Sequence, residues 1–491
     1  MQVLTKRLAF LFADTKGLVL VAIALIALTT AFMGTLSGPM HELGITSFVI
    51  ENFGLRLVEA EREARIVLLY HAIAVTIVAI ETYLITDTIP MKPEERTRIN
   101  GTITAGYLLT LIFGLMFGYF GRSWIAHGLF TVGLTLTFFA GTQLAIALWP
   151  WRKGYAARGP EYAHWGKVDL ERVAFFVMAV ATLGSAVFGG VTGSFYGNGQ
   201  ETFLAENIVR EPFKTTFQLA IIGHLHIMLT LIAIALALLV GRWLDFKGAL
   251  HKWSMPLFIV GTAVISLGAW SVVPFDAIAH TIIYVGSTVV LLGALLLVIA
   301  GFDKLIRSNL ETQGIRKATA GQKVGALLHD PLKFGALWQM VFMNFVVAFP
   351  GIFMAAKLDD IFRVWSLRQE RLILTGHWHV LSGIIATIIL FLYADMAGLK
   401  GRTRRIFGWV VIVASDLAFA TATVYSSRRL FITEYAEASL VSIATLLLDL
   451  GLGTLLITLG ILMVWRLIDL FKNKGRWQEE SSAAQAQEAT Q

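Results

Sequence analysis

The chain alternates long apolar runs with short polar connections. Twelve runs have the length of a membrane crossing, at roughly 17–36, 66–86, 101–120, 125–149, 173–196, 217–240, 254–272, 277–300, 337–356, 372–394, 407–425 and 440–465. A helix needs about 20 predominantly apolar residues to cross the hydrocarbon core of a bilayer. Inside that core every backbone polar group must be satisfied within the protein, which helices achieve on their own. The pattern therefore predicts an all-α membrane protein with twelve transmembrane helices, a single domain over 17–466 preceded by a short N-terminus, 1–16. The tail, 467–491, ends in the low-complexity string QEESSAAQAQEATQ and reads as disordered.

Composition agrees with the pattern. Of 491 residues, 56% are hydrophobic and only 15% charged, and the mean hydropathy is +0.70. No polar block is long enough to form a separate soluble domain. Cysteine is absent, which excludes disulfides, thiolate metal sites, cysteine-bound iron–sulfur clusters and covalently attached haem. Histidine is left as the natural metal ligand. The net charge of +7 reports topology rather than nucleic-acid binding, because basic residues collect on the cytoplasmic side. With both termini cytoplasmic, that side gathers 28 of the 40 Lys and Arg residues. Its richest loop, Phe302 to Ala336, carries Lys304, Arg307, Arg316, Lys317, Lys323 and Lys333, whereas the opposite loops carry Glu42, Glu51, Glu59, Glu61, Glu63, Glu201, Glu206 and Glu211. The expected location is a prokaryotic cytoplasmic membrane.

Three segments align by eye: EREARIVLLYHAIAVTIVAIETYLI, EPFKTTFQLAIIGHLHIMLTLIAIALALLV and RQERLILTGHWHVLSGIIATIILFLY. Each opens with charge, passes a short apolar stretch, reaches histidine and continues apolar. They fall on runs 2, 6 and 10. Runs 4 and 8 share IAHGLFTVG and IAHTIIYVG, with EYAEASLVS in the corresponding place of run 12. The chain thus reads as three four-helix units, 17–149, 173–300 and 337–465.

Ionisable side chains are costly inside a membrane, yet His71, His224, His226, His377 and His379 all fall early in runs 2, 6 and 10. Residues two apart on an α-helix point about 200° apart. His377 and His379 therefore serve different centres, and so do His224 and His226. Zinc helices instead space two ligands i, i+4. The pattern favours flat cofactors held between helices, with imidazole as axial ligand, which describes b-type haem. Two bis-histidine haems use four of the five histidines, and a third site would draw on His127, His280 or Glu437. Either of His224 and His226 can face the second haem. A lone histidine on an apolar helix is as readily a packing or proton-path residue, and His127 and His280 carry that reading equally. Glycine before each first histidine, Gly223 and Gly376, leaves room for a macrocycle. Glu81 and Asp416 are intramembrane acids whose plain role is hydrogen bonding within the bundle.

TGHWHVLSG on run 10 resembles the H-x-H motif of subunit I of the haem–copper oxidase superfamily, which includes cytochrome oxidases and nitric oxide reductases. The resemblance covers most of 17–466 but rests on a few stations. It implies His377 as axial ligand of a second haem and His379 with His71 as ligands of a low-spin haem. It also implies that Arg428 and Arg429, in YSSRRLF between runs 11 and 12, pair with haem propionates. Guanidinium suits carboxylate by charge and geometry. Two departures matter. The family's copper needs a His-His pair on helix 7, where this chain has Gly268, Ala269 and Trp270; and run 6 carries an additional histidine. This speaks against copper and for a converted member in which His224 or His226 binds the second haem opposite His377. The expected function is an electron-transfer subunit with two b-type haems, or three, within a membrane respiratory complex. Its redox partner would be quinol or a c-type cytochrome. The alternatives are a terminal oxygen or nitric oxide reductase with an altered second metal, and a twelve-helix transporter.

Overall fold

The computed structural model describes residues 10–36, 40–41, 43–58, 61–152, 154–155, 158–195, 215–432 and 434–472. The tail beyond 472, Glu42, Glu59, Glu201, Glu206 and Glu211, and the side chains of Glu63, His226 and Glu437, lie outside the described residues.

Twelve helices are long and apolar enough to cross a membrane. In chain order they are α1 (Thr15–Gly34), α2 (Arg62–Thr88), α3 (Pro93–Tyr119), α4 (Trp124–Ala147), α5 (Leu170–Phe195), α6 (Thr216–Trp243), α7 (Ala249–Ser271), α8 (Asp276–Thr312), α9 (Pro331–Ala356), α10 (Leu367–Met396), α11 (Gly401–Ser427) and α12 (Glu434–Lys472). The protein is a multi-pass all-helical membrane protein. Among the described residues the only sheet is a two-stranded hairpin, His164–Trp165 with Val168–Asp169, in the α4–α5 connection.

Local chemistry sets where the helices start. Asp14 caps α1 by accepting from the Lys16 amide at 2.8 Å. α3 opens on Pro93 with Glu94 and Glu95 in its first turn, where proline needs no donor and acids complement the helix dipole. Asp330 caps α9, whose first residue is Pro331. Several helices outrun their apolar cores. α8 continues to Thr312 and α12 to Lys472, so the last helix passes the expected domain boundary at 466. Two short helices, Ile45–Phe53 and Ala320–Leu327, lie between the long ones.

Packing follows small residues. In a membrane, helices associate through close van der Waals contact rather than water exclusion, and glycine lets backbones approach. A Cβ on Gly133 of α4 would lie 2.5 Å from the Thr110 nitrogen of α3. One on Gly261 of α7 would meet Val290 of α8 at 2.7 Å, and one on Gly451 of α12 would meet the Ala414 carbonyl of α11 at 2.8 Å. α10 buries 61% of its apolar stretch and α6 buries 56%, against 11% for α12. α6 and α10 therefore run through the centre and α12 along the edge.

α9 is not a uniform helix. It passes through a π turn, Phe342–Ala348, just before Pro350. Proline withholds the amide that the preceding turn would use, and π turns mark places where a helix is locally widened.

The end of the bundle where α1 starts and α12 ends is tied by ion pairs. Glu171, at the start of α5, meets Arg158 and, at 3.1 Å, Arg242 of α6. Arg242 also donates to the Thr88 carbonyl at the end of α2, at 2.6 and 3.2 Å. Arg404 of α11 pairs with Asp330 at 2.8 Å and with Asp395 of α10, and Trp243 of α6 donates to Asp395 at 2.6 Å.

Candidate functional site

His71, His224 and His377 sit about two to three turns into α2, α6 and α10, from the end opposite the termini. The rings of His71 and His224 are 6.2 Å apart between centres and 12° from parallel. Phe130 of α4 stands edge-on to His71, at 6.5 Å. The Nδ1 of His71 bonds the Val67 carbonyl at 2.8 Å, and that of His224 bonds the Ser185 carbonyl of α5 at 2.9 Å. A carbonyl only accepts, so Nδ1 carries the proton in both rings and Nε2 keeps its lone pair. A histidine that binds a metal through Nε2 is usually held in this tautomer, with its other ring nitrogen tied to a carbonyl.

The position of His224 is dictated by α5. A Cβ on Gly189 would lie 2.6 Å from its Cε1 and 2.8 Å from both ring nitrogens, so only glycine admits the ring there. One turn earlier, Ser185 accepts from the Trp270 indole of α7 at 3.1 Å, and that indole fills the notch left by Gly184. Trp270 also lies 13° from parallel with Phe188, at 6.3 Å. Trp270 is thus a packing residue, and its neighbours pack as well. Gly268 lies against Ile283 of α8, and the Ala269 carbonyl is 2.6 Å from a Cβ placed on Gly223.

That last contact corrects one expectation. Gly223 does not open space for a macrocycle; it lets α6 touch α7. Gly376 likewise lets α10 touch Ser426 of α11, whose Cβ would be 2.6 Å away.

The two histidines of α10 do face apart. His377 lies against Gly351 of α9, where a Cβ would come within 2.5 Å of its Cε1. His379 bonds the Thr375 carbonyl through Nδ1 at 2.6 Å and meets the ring of Tyr70 on α2 at 6.2 Å. The structure brings His71 to His224 and sets Tyr70 beside His379. It turns His377 toward α9 and α11.

His127 meets Phe117 of α3 at 5.1 Å, and His280 meets Tyr284 one turn along its own helix at 6.5 Å. Arg428 is 9% exposed, donates to the Tyr425 carbonyl at 2.8 Å and stacks over the Tyr425 ring at 4.7 Å. Arg429 follows it in the same short helical turn, Arg428–Leu430. Asp416 accepts from the Trp338 indole at 2.8 Å and from Gln339 at 3.0 Å, which is the hydrogen-bonding role expected of it. Glu81 is 4% exposed, and its Oε1 has no hydrogen-bond partner among the described residues. His251 lies in the first turn of α7, where its Nδ1 accepts from the Ala163 amide at 2.8 Å.

The ring spacing and tautomers of the His71–His224 pair match those of an imidazole ligand pair on one metal. Two imidazoles bound to opposite sides of one metal, with bonds of roughly 2 Å, hold their ring centres about 6 Å apart. The observed separation is 6.2 Å, and both rings carry the tautomer that leaves Nε2 free to bind.

Searches of family models, of curated proteins and of solved structures return no match for this chain.

Proposed function

We propose that the protein is a b-type haem-binding electron-transfer subunit of a respiratory complex in a prokaryotic cytoplasmic membrane, in which His71 and His224 would hold a haem between α2 and α6. The observation that carries this reading is the imidazole pair itself, 6.2 Å and 12° apart with each Nδ1 tied to a backbone carbonyl. Held by these two imidazoles, a haem would supply reversible one-electron exchange. The chain's part is to hold the two rings in register, through Val67, Ser185 and Gly189, and to keep them in an apolar setting.

The test is the visible spectrum of the protein purified from a haem-sufficient host, with the haem-to-chain ratio. A low-spin α-band that carbon monoxide leaves unchanged in the reduced protein is expected. A colourless protein sinks the reading, and a carbon monoxide complex turns it toward gas reduction.

A further inference from the structure

A hollow lies between α9, α10 and α11. It opens outward and has a cavity volume of about 90 Å³. α9 reaches it through the π turn and contributes Pro350 and Phe353; α10 contributes His377; α11 contributes Thr423, Ser426 and Ser427. The rest of the wall is apolar.

The hydroxyl groups decide what the hollow can take. Thr423 donates to the Phe419 carbonyl at 2.8 Å, Ser426 to the Thr423 carbonyl at 3.1 Å and Ser427 to the same carbonyl at 2.6 Å. All three protons are thereby directed back into α11, as serine and threonine in helices commonly do. Their oxygens have only lone pairs left to offer. A ligand that satisfies them must bring donors of its own, and a site within membrane-spanning helices calls for an apolar body. A flat aromatic ring with two hydroxyl groups meets both conditions. A ring carrying carbonyls in their place would set acceptor against acceptor. The imidazole of His377, which can donate or accept, does not discriminate between the two.

We propose that this hollow binds the aromatic diol head group of a membrane quinol, in preference to its oxidised quinone. The proposal deepens the electron-transfer reading by naming its reduced partner, and it assigns His377 to the head group rather than to iron.

The test uses the full-length protein in nanodiscs and a probe that cannot be oxidised to a quinone. An alkylated 1,3-dihydroxybenzene is titrated against its dimethyl ether, which keeps ring and tail but loses both donors, and binding is read by calorimetry. The diol is expected to bind about tenfold more tightly, the size of one to two neutral hydrogen bonds. Thr423→Val combined with Ser426→Ala and Ser427→Ala should bring the two probes within about twofold of each other. Equal binding of diol and ether to the unmodified protein would overturn the proposal. So would loss of one haem per chain in His377→Gln, because that places His377 on iron. A chain that carries no haem but still prefers the diol would sink the haem reading and leave the pocket standing.

Discussion

The Nδ1 of His224 on α6 is bonded to the Ser185 carbonyl of α5 at 2.9 Å. A backbone group of one helix thus sets the tautomer and direction of a side chain on another. With the Gly189 notch one turn later, this makes the placement of the imidazole a property of helix packing. The chemistry proposed for the site depends on that placement, and so do the first two predictions.

His71→Ala and His224→Ala should each remove about one low-spin haem per chain, while His379→Ala should leave that haem in place. Pyridine haemochrome assay against protein concentration measures the ratio. Equal losses from all three variants would break the pairing of His71 with His224.

Gly189→Ala puts a methyl where the His224 ring now lies. Overpacking of this kind costs about 1–3 kcal/mol. A lowered midpoint of thermal unfolding in detergent is expected, together with a shift of the haem from low-spin to high-spin and new carbon monoxide binding. Gly190→Ala, where a Cβ meets nothing within 4 Å, is the control and should change neither.

Glu171 is nearly fully buried between Arg158 and Arg242. Removing one member of a buried ion network leaves uncompensated charge and is strongly destabilising. Glu171→Ala should cost about 3 kcal/mol, read as unfolding by increasing denaturing detergent. The double variant with Arg158→Met should recover part of the loss.

Asp245 lies outside the membrane-spanning helices. Burial alone would raise its carboxyl, but hydrogen bonds from Tyr162, Lys247 and Lys304 outweigh that and hold it well below the usual carboxylate range. An acid depressed on folding contributes stability that is fully present above its unfolded value, about 3.9, and is lost as pH falls through the folded value. Stability between pH 8 and about 5 should therefore be insensitive to this group, with the loss confined to lower pH. Asp245→Asn should remove that acid-dependent part; asparagine tolerates the positive φ of 47° found there. A variant whose stability falls with acid as steeply as the parent's would exclude Asp245 as the source.

The twelve helices were legible because each crossing is one continuous apolar run. Their ends were not, since a helix that leaves the bilayer continues on polar residues, as α8 does to Thr312. The helix Ala320–Leu327 did carry a signal, the Thr319–Gln322 capping box, too short to stand out beside the long runs. The divergence of His377 from His379 followed from helix geometry alone. Which ring would face which was not legible, because helix rotation is set by notches on other helices, Gly189 for His224 and Gly351 for His377. Those notches had only faint signatures, a Gly-Gly pair in VFGGVTG and the glycine after Pro350.

Arg242 grips the Thr88 carbonyl at one end of α2 and α6, while His71 and His224 face each other toward the other. Seventeen residues separate Thr88 from His71, about 26 Å of helix at 1.5 Å per residue. The two helices form a pair of stiff beams joined near one tip. A tilt of about 1° at the joint moves the far tips by about 0.5 Å over that length, a meaningful fraction of a metal–ligand bond. Whatever leans on the polar connections beside Arg242 is therefore mechanically geared to the spacing of the two imidazoles.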